Sequence, residues 1–275
     1  MKICILYSGG LDSFLLYRWA LTQVSANEVV CVYFDIGQPY VEKEVAATKQ
    51  LGVPTDYRRV DWLANGGITN NPNSSSGNIM IPGRNLALVT LAACIYRPHH
   101  IWLGALEGET HDKAHDKNYP FLMLTNEVLQ YVFSTYGDPA ETPRLGFPFA
   151  DMKWSKLDLV REMLQRGLAT QEEVLITSSC LNGGVAKNCG ECVVCLRRWG
   201  IFRQLGFSEP YAVHPLASEA NRKVVVEMAS ASSYYDKKRS DEVLPAVLDL
   251  LGLPSDCPKV ILERALTWAV QQQFQ

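Results

Sequence analysis

Short apolar, β-branched runs alternate with stretches of helical periodicity through the first hundred residues, and this alternation restricts the chain more than any other feature does. It is the pattern of a parallel sheet covered by helices on both faces. Residues 2–7, 29–34, 56–60 and 101–104 read as strands, and 11–22, 40–51 and 82–93 as helices. The expected fold class is therefore α/β, a doubly wound parallel sheet. Residues 65–78 are rich in Gly, Asn and Ser, a composition that cannot bury a core, so this stretch is expected to be mobile or to close over a ligand. Further on, 125–132 reads as helical, the chain around Phe147 as extended and 155–166 as helical again. Past Leu216 the segments 219–229, 241–251 and 259–272 each space their apolar residues near the 3.6-residue helical repeat. The expected division is 1–178 for the α/β domain, 179–215 for a cysteine-bearing segment with its helix, and 216–275 for a helical extension.

The first strand meets the first helix in Ser8-Gly9-Gly10-Leu11-Asp12-Ser13. Open α/β sheets bind ligands at such carboxyl ends of strands. Two glycines let the backbone approach a phosphate closely. The N–H groups of the first helical turn and the Ser8 and Ser13 hydroxyls can then cradle a pyrophosphate, which the helix dipole favours. Asp12 would repel that anion unless a Mg²⁺ ion lies between carboxylate and phosphates. The bland alternative is a tight Gly-Gly turn with a Ser/Asp cap. No G-x-x-x-x-G-K-[ST] sequence is present, so the γ-phosphate grip of that motif is not expected.

Of eight cysteines, four form Cys180-x8-Cys189-x2-Cys192-x2-Cys195, the number of soft ligands a tetrahedral structural Zn²⁺ site uses. Asn182, Gly183, Gly184 and Gly190 supply the turns. A redox Cys-x-x-Cys and an iron–sulfur cluster compete with zinc, because thiolates do not declare their metal. Cys4, Cys31 and Cys94 sit in apolar runs and read as core residues. His111 and His115, four apart and flanking Asp112, offer a second metal reading against the blander one of a solvated polar run.

A formal charge of −3 gives no global field to collect a polyanion, which disfavours a nucleic-acid partner. The chain enters its first apolar run with no secretion signal. No stretch reaches the roughly 20 apolar residues of a membrane span, so a soluble, cytoplasmic protein is expected.

The phosphate-loop hexapeptide resembles the SGGxDS loop of the N-type ATP pyrophosphatases, a group that cleaves ATP between its α and β phosphates and includes QueC, NAD synthetase, GMP synthetase and tRNA thiolases. Phe34-Asp35-Ile36-Gly37-Gln38 resembles the FDYGQ segment of QueC, with Ile36 in place of Tyr; Ile81-Pro82-Gly83-Arg84-Asn85 resembles its VPGRN; Pro148-Phe149 followed by Lys156 resembles its PL…K. The cysteine spacing and the run Cys195-Leu196-Arg197-Arg198 match QueC as well. The resemblance implies a Rossmann-like fold of the HUP, adenine-nucleotide α-hydrolase type. It also implies ATP, Mg²⁺ and Zn²⁺ as cofactors, with ATP held by residues 8–13, Asp35, Gly37, Gln38 and Arg84. Asp12, Arg84 and Lys156 would be catalytic, the two cations balancing phosphate charge. The implied reaction adenylates the carboxylate of 7-carboxy-7-deazaguanine, and ammonia then gives the amide and, through a second activation, the nitrile.

The family's YPDCRPEF-like motif is replaced here by the divergent stretch 104–121, in which only Tyr119-Pro120 is kept. Glu107, Thr110, Asp116 and Tyr119 are the candidates for contact with the substrate. This departure and the long helical tail leave two alternatives open. One gives the adenylated acid to an amine of a partner protein, as QueC-like proteins of antiviral operons suggest. The other is a zinc-bearing nucleotide- or tRNA-binding module. Assembly as a homodimer is also left open.

Overall fold

β1 (Ile3–Leu6) is apolar and buried at all four positions, as a strand covered on both faces must be. The computed structural model describes residues 1–60, 81, 83–110, 116–136, 142–183, 188–230 and 234–272. The 65–78 stretch, Pro82, Gly184 and the set His111, Asp112 and His115 lie outside the described residues. The chain divides into two units, Met1–Thr177 and Ser178–Gln275.

The first unit continues through α1 (Leu11–Ala20), β2 (Val29–Asp35), α2 (Val41–Gln50), β3 (Thr55–Arg59), α3 (Arg84–Tyr96), β4 (His100–Trp102), α4 (Glu107–Thr110), α5 (Tyr119–Tyr136), β5 (Arg144–Gly146), α6 (Pro148–Asp151), α7 (Lys156–Gln165) and α8 (Gln171–Ile176). The strands form one parallel sheet in the order β3-β2-β1-β4-β5, with Ile3 opposite Val29 on one side and His100 on the other. Side chains alternate between its faces. Cys4, Leu6, Val32 and Phe34 pack with Val89, Ala92 and Ala93 of α3 and Leu129 of α5, while α1 lies against β1 and β2 and packs on α7. From β1 the chain winds outward to β2 and β3, then crosses to β4 and β5. The reversal therefore falls between β1 and β4, and the crevice at their carboxyl ends is where such sheets take ligands.

Several elements differ from the sequence expectation. α5 starts before residue 125 because the Asn118 side chain accepts from Phe121 N at 2.9 Å, capping a helix whose second residue is Pro120. Near its first turn a helix tolerates proline, since that N–H has no intrahelical partner. The extended chain near Phe147 is a fifth strand, β5, paired with β4 and ending at Gly146. α8 is too short to show a period; its Thr170 and Glu173 close a capping box instead.

The second unit holds α9 (Val193–Gln204), α10 (Glu219–Met228), α11 (Tyr234–Leu251) and α12 (Lys259–Gln272) around Leu196, Leu216, Val225, Val243, Val247, Leu262 and Leu266. α11 carries Pro245 in its interior and begins seven residues before the expected 241. Proline removes the donor that Asp241 O would use. Gln204 Nε2 lies 3.3 Å from that carbonyl and 2.8 Å from Glu242 O, so α9 supplies the missing donor. The two helices cross closely at Gly200, where a Cβ would stand 2.7 Å from Glu242 O and 2.9 Å from Val243 Cα. Gly200→Ala gains about 1 kcal/mol of helix propensity, but the overpacked crossing costs about 1–3 kcal/mol. A net loss of stability is expected, read as a lower thermal midpoint. An unchanged or raised midpoint would show that the crossing can yield.

Candidate active site and metal centre

The phosphate loop leaves β1 at the switch point. Gly9 has φ +70°, the left-handed region that favours glycine, and a Cβ there would lie 2.5 Å from Glu44 O and 2.8 Å from Thr48 Oγ1. Ser13 Oγ accepts from Ser8 N at 3.1 Å and donates to Gly10 O at 3.1 Å, while Gly10 N donates to Ser8 Oγ at 3.3 Å. These bonds close the loop on itself. Gly10 is the N-cap of α1 and offers its first turn no side-chain acceptor, and Leu11 is buried, leaving its backbone to face a ligand. The result is an anion cradle at a helix N-terminus.

Asp12 and Lys156, far apart in sequence, meet at 2.8 Å through Oδ2 and Nζ. Lys156 opens α7 with its side chain only 13% exposed, so it does not lie on a solvated face. The other Asp12 oxygen, Oδ1, is buried without a hydrogen-bond partner. Such an orphaned, acceptor-only atom fits a divalent cation. From β4, Gly104 approaches so closely that a Cβ would stand 3.1 Å from Asp12 Cβ. The β1 and β4 loops thus share the crevice.

The divergent stretch is built into the fold. Glu107, Glu109 and Thr110 are buried; Glu107 N donates to Trp154 O at 3.2 Å, two residues before Lys156, and Thr110 Oγ1 donates to Glu107 O at 2.8 Å. Tyr119 joins them: burial raises its phenol, helped by the Asp151 and Glu107 charges, and the Thr110 hydroxyl faces it. Asp116 is tied through its backbone, its carbonyl accepting from the buried Asn85 side chain at 3.2 Å. Asn85 follows Arg84 at the start of α3, so the segment resembling VPGRN is tied to the divergent stretch that stands in place of the substrate motif.

On β2, Gly37 N donates to Asp35 Oδ1 at 2.8 Å, a turn that Gly37 completes with φ +79°. Gln38 bonds to Glu44, a carboxylate that no motif singles out. Burial raises Glu44 to about 7, against hydrogen bonds from Gln38 and Tyr33 and the nearby Arg84 charge. Sequence spacing gives no warning of Glu44, since Glu42 and Glu44 both read as ordinary first-turn acids of α2.

In the second unit the Cys180, Cys189, Cys192 and Cys195 sulfurs lie within 4.8 Å of one another, with 3.9 Å between Cys189 and Cys195. Four sulfurs about 2.3 Å from one ion stand about 3.8 Å apart, so the set fits a single tetrahedral cation. Glu191 N and Cys192 N point at Cys189 Sγ at 3.3 and 3.4 Å, and Cys189 N points at Cys180 Sγ at 3.4 Å, the outer bonds that orient thiolate ligands. Asn221 Nδ2 holds Gly190 O at 2.8 Å, and Val213 N pairs with Cys189 O at 3.1 Å. Behind the centre, Arg198 and Glu209 form a bidentate pair at 2.8 Å, each only 2% exposed, and Arg197 pairs with the buried Glu242.

The family described as "Queuosine biosynthesis protein QueC" matches residues 2–206. The chain belongs to the QueC family. Among similar QueC-family proteins, the 7-cyano-7-deazaguanine synthase of Pseudoalteromonas translucida is 27% identical over 227 residues, covering 76% of this chain and 97% of that protein. The synthase of Marinobacter nauticus is 28% identical over 234 residues, covering 78% and 99%, and that of Methanopyrus kandleri is 25% identical over 231, covering 75% and 96%. A solved structure, the U34-tRNA thiolase NcsA of Methanococcus maripaludis with its [4Fe-4S] cluster, aligns at a TM-score of 0.35 and 11% identity, over 99% of this chain and 73% of that one. The QueC match ends before α10, so α10, α11 and α12 lie beyond it.

Proposed function

We propose that this QueC-family protein is an ATP pyrophosphatase of the cytoplasm that adenylates the carboxylate of 7-carboxy-7-deazaguanine and passes the acyl group to ammonia. The observation that carries the reading is Asp12: one oxygen paired with Lys156, the other buried and unpartnered, at the mouth of an anion cradle. The names of its relatives support the substrate class. The substrate carboxylate attacks the α-phosphorus, the bond to the pyrophosphate oxygen breaks, and ammonia then displaces AMP from the acyl carbon. No protein nucleophile is needed, because adenylation supplies the leaving group and the site has only to position and shield it. The first turn of α1 binds the phosphates, and Lys156 and Arg84 balance the charge that builds on the departing pyrophosphate. Asp12 would hold a Mg²⁺ ion, which when bound would supply further charge neutralisation. The four cysteines hold Zn²⁺ in a saturated site that does structural work. Incubation with ATP, Mg²⁺, ammonium and the acid is expected to yield pyrophosphate, AMP and the amide or nitrile by mass spectrometry. Absence of pyrophosphate release would overturn the reading.

A second acceptor, an amine on a partner protein, is favoured by the buried α4 segment standing where the family's substrate motif is expected. A mass increase on a co-expressed candidate partner supports it, and an unmodified partner counts against it. A homodimer belongs to the same reading. Leu124, Val128 and Tyr131 of α5 are exposed at helical spacing, flanked by Met123 and Val132, and Glu127 is the helix's one charge. Exposed apolar faces of this kind, here broken by a single charge, mark interfaces. Val128→Asp is expected to convert a dimer to a monomer in sedimentation; a monomeric wild type would dispose of the dimer.

A further inference from the structure

Glu44 does nothing in the chemistry described above, yet it touches both halves of the nucleotide site. Its backbone carbonyl accepts from Thr48 Oγ1 at 2.8 Å and forms the floor on which Gly9 rests. Its carboxylate Oε2 accepts from Tyr33 Oη at 2.7 Å and from Gln38 Nε2 at 3.0 Å. Gln38 Nε2 lies 2.7 Å from Tyr33 Oη, which closes a ring of three side chains, and Gln38 Oε1 accepts from Ile36 N at 3.0 Å. Both ends of the Gln38 amide are therefore engaged, and its orientation depends on an acceptor at Glu44 Oε2. Tyr33 and Asp35 face Glu44 from β2, Gln38 and Tyr40 from the turn that leads into α2, and Arg84 from α3. Arg84 is the cation of that set.

We infer that Glu44 is a positioning residue that fixes the Phe34–Gln38 turn against the phosphate loop and couples nucleotide binding to proton uptake. This rests on the reading that ATP occupies the loop. The coupling follows from charge. Phosphates arriving at the Gly9 turn and at Arg84 draw away the cation that favours ionised Glu44 and bring negative charge towards it. Protonated Glu44 is then the form that coexists best with bound nucleotide. Burial already holds the carboxyl at about 7 in the free protein, so the effect falls in an accessible range. The sign is fixed by linkage: with the carboxyl's pKa raised further in the complex, affinity is greatest below about pH 7 and falls as pH rises above it.

The test is the dissociation constant of ATP, measured with Mg²⁺ from pH 6 to 8.5 for wild type, Glu44→Gln and Glu44→Ala, with kcat and KM for pyrophosphate release alongside. Glutamine keeps an acceptor for Tyr33 and Gln38 but cannot ionise. ATP's own phosphate titration is common to all three proteins and cancels in their ratios. Wild-type affinity is expected to weaken about tenfold more steeply over this range than that of Glu44→Gln. Glu44→Ala is expected to bind about tenfold more weakly at every pH, through KM more than kcat. A Glu44→Gln slope equal to wild type overturns the coupling, and wild-type affinity in Glu44→Ala overturns the positioning role. Should Glu44→Ala fail to fold, the Glu44→Gln slope still decides. A wild type that binds no ATP would instead overturn the occupancy of the loop, and this inference with it.

Discussion

Replacing Asp12 with alanine is expected to abolish pyrophosphate release from a protein that remains folded. Asp12 lies in the first turn of α1, where a carboxylate gains a little from the helix dipole, but alanine is the better helix former, so the local balance is nearly even. Its Oδ1 is buried and unpartnered, so removing it relieves a desolvated group. Lys156 loses its partner at 2.8 Å and its side chain is only 13% exposed, so the thermal midpoint should fall somewhat, but this is one contact among the many that hold the first unit. Folding therefore survives. Turnover does not, because the compensation Asp12 provides is needed only when ATP is bound and pyrophosphate departs. Losses of about 10²–10³ follow removal of a single preorganised electrostatic group, and a metal-holding carboxylate should reach at least that. Asp12→Asn separates charge from shape: it fills the same space and should fail almost as completely. Pyrophosphate release and the thermal midpoint, measured together, check this. Retained turnover in either variant would remove Asp12 from the reaction.

The fold was legible where pattern and physics agree. β1 could be nothing but a buried strand, and the Gly-Gly turn after it marked the ligand end of the sheet. The elements that escaped are those whose stability is not written in a period. β5 is three residues long and exists because β4 offers it a pairing edge. α5 looks interrupted by Pro120, but the cap that starts it, Asn118, makes the proline harmless. α11 contains Pro245, and the donor that completes it comes from Gln204 on another helix. In the site the same contrast holds. The four cysteines, gathered within 4.8 Å, announce themselves by spacing. The Asp12–Lys156 contact and the Glu44 ring are products of packing between distant segments, and no local pattern encodes them. The burial of Glu107, Glu109 and Thr110 is of this kind too, since a run so polar reads as solvated until the fold encloses it.

Cys192→Ser is expected to strip the metal from the second unit and lower its stability, with activity lost only in proportion to folded protein. The substitution is informative because Cys192 has two roles. It is one of four sulfurs gathered within 4.8 Å, and it is also the N-cap of α9, its Sγ accepting from Cys195 N at 3.4 Å. Serine is among the best N-cap residues, so the cap survives while the soft ligand goes. What is lost, on the proposed zinc reading, is the ion that would join Cys180 to the first turn of α9. Among the described residues, the cluster around the cysteines contains, besides them, Tyr211 alone. Without the cation the remaining sulfurs must share protons. Hydrogen bonds from Cys192 and Cys195 hold the Cys180 thiol well below its ordinary range, and their bonds to Cys180 push the thiols of Cys192 and Cys195 up. Three thiolates crowded together without an ion are unfavourable, and metal affinity in such sites is folding free energy, about 10–16 kcal/mol for zinc-finger peptides with all ligands in place. Removing one ligand should leave well under one zinc per chain by elemental analysis and a markedly lower thermal midpoint. Pyrophosphate release per folded molecule should stay near the wild-type value, because the phosphate loop, Asp12 and Lys156 all belong to the first unit. If Cys192→Ser kept its metal and its fold yet lost turnover, the cysteines would serve the chemistry rather than the structure.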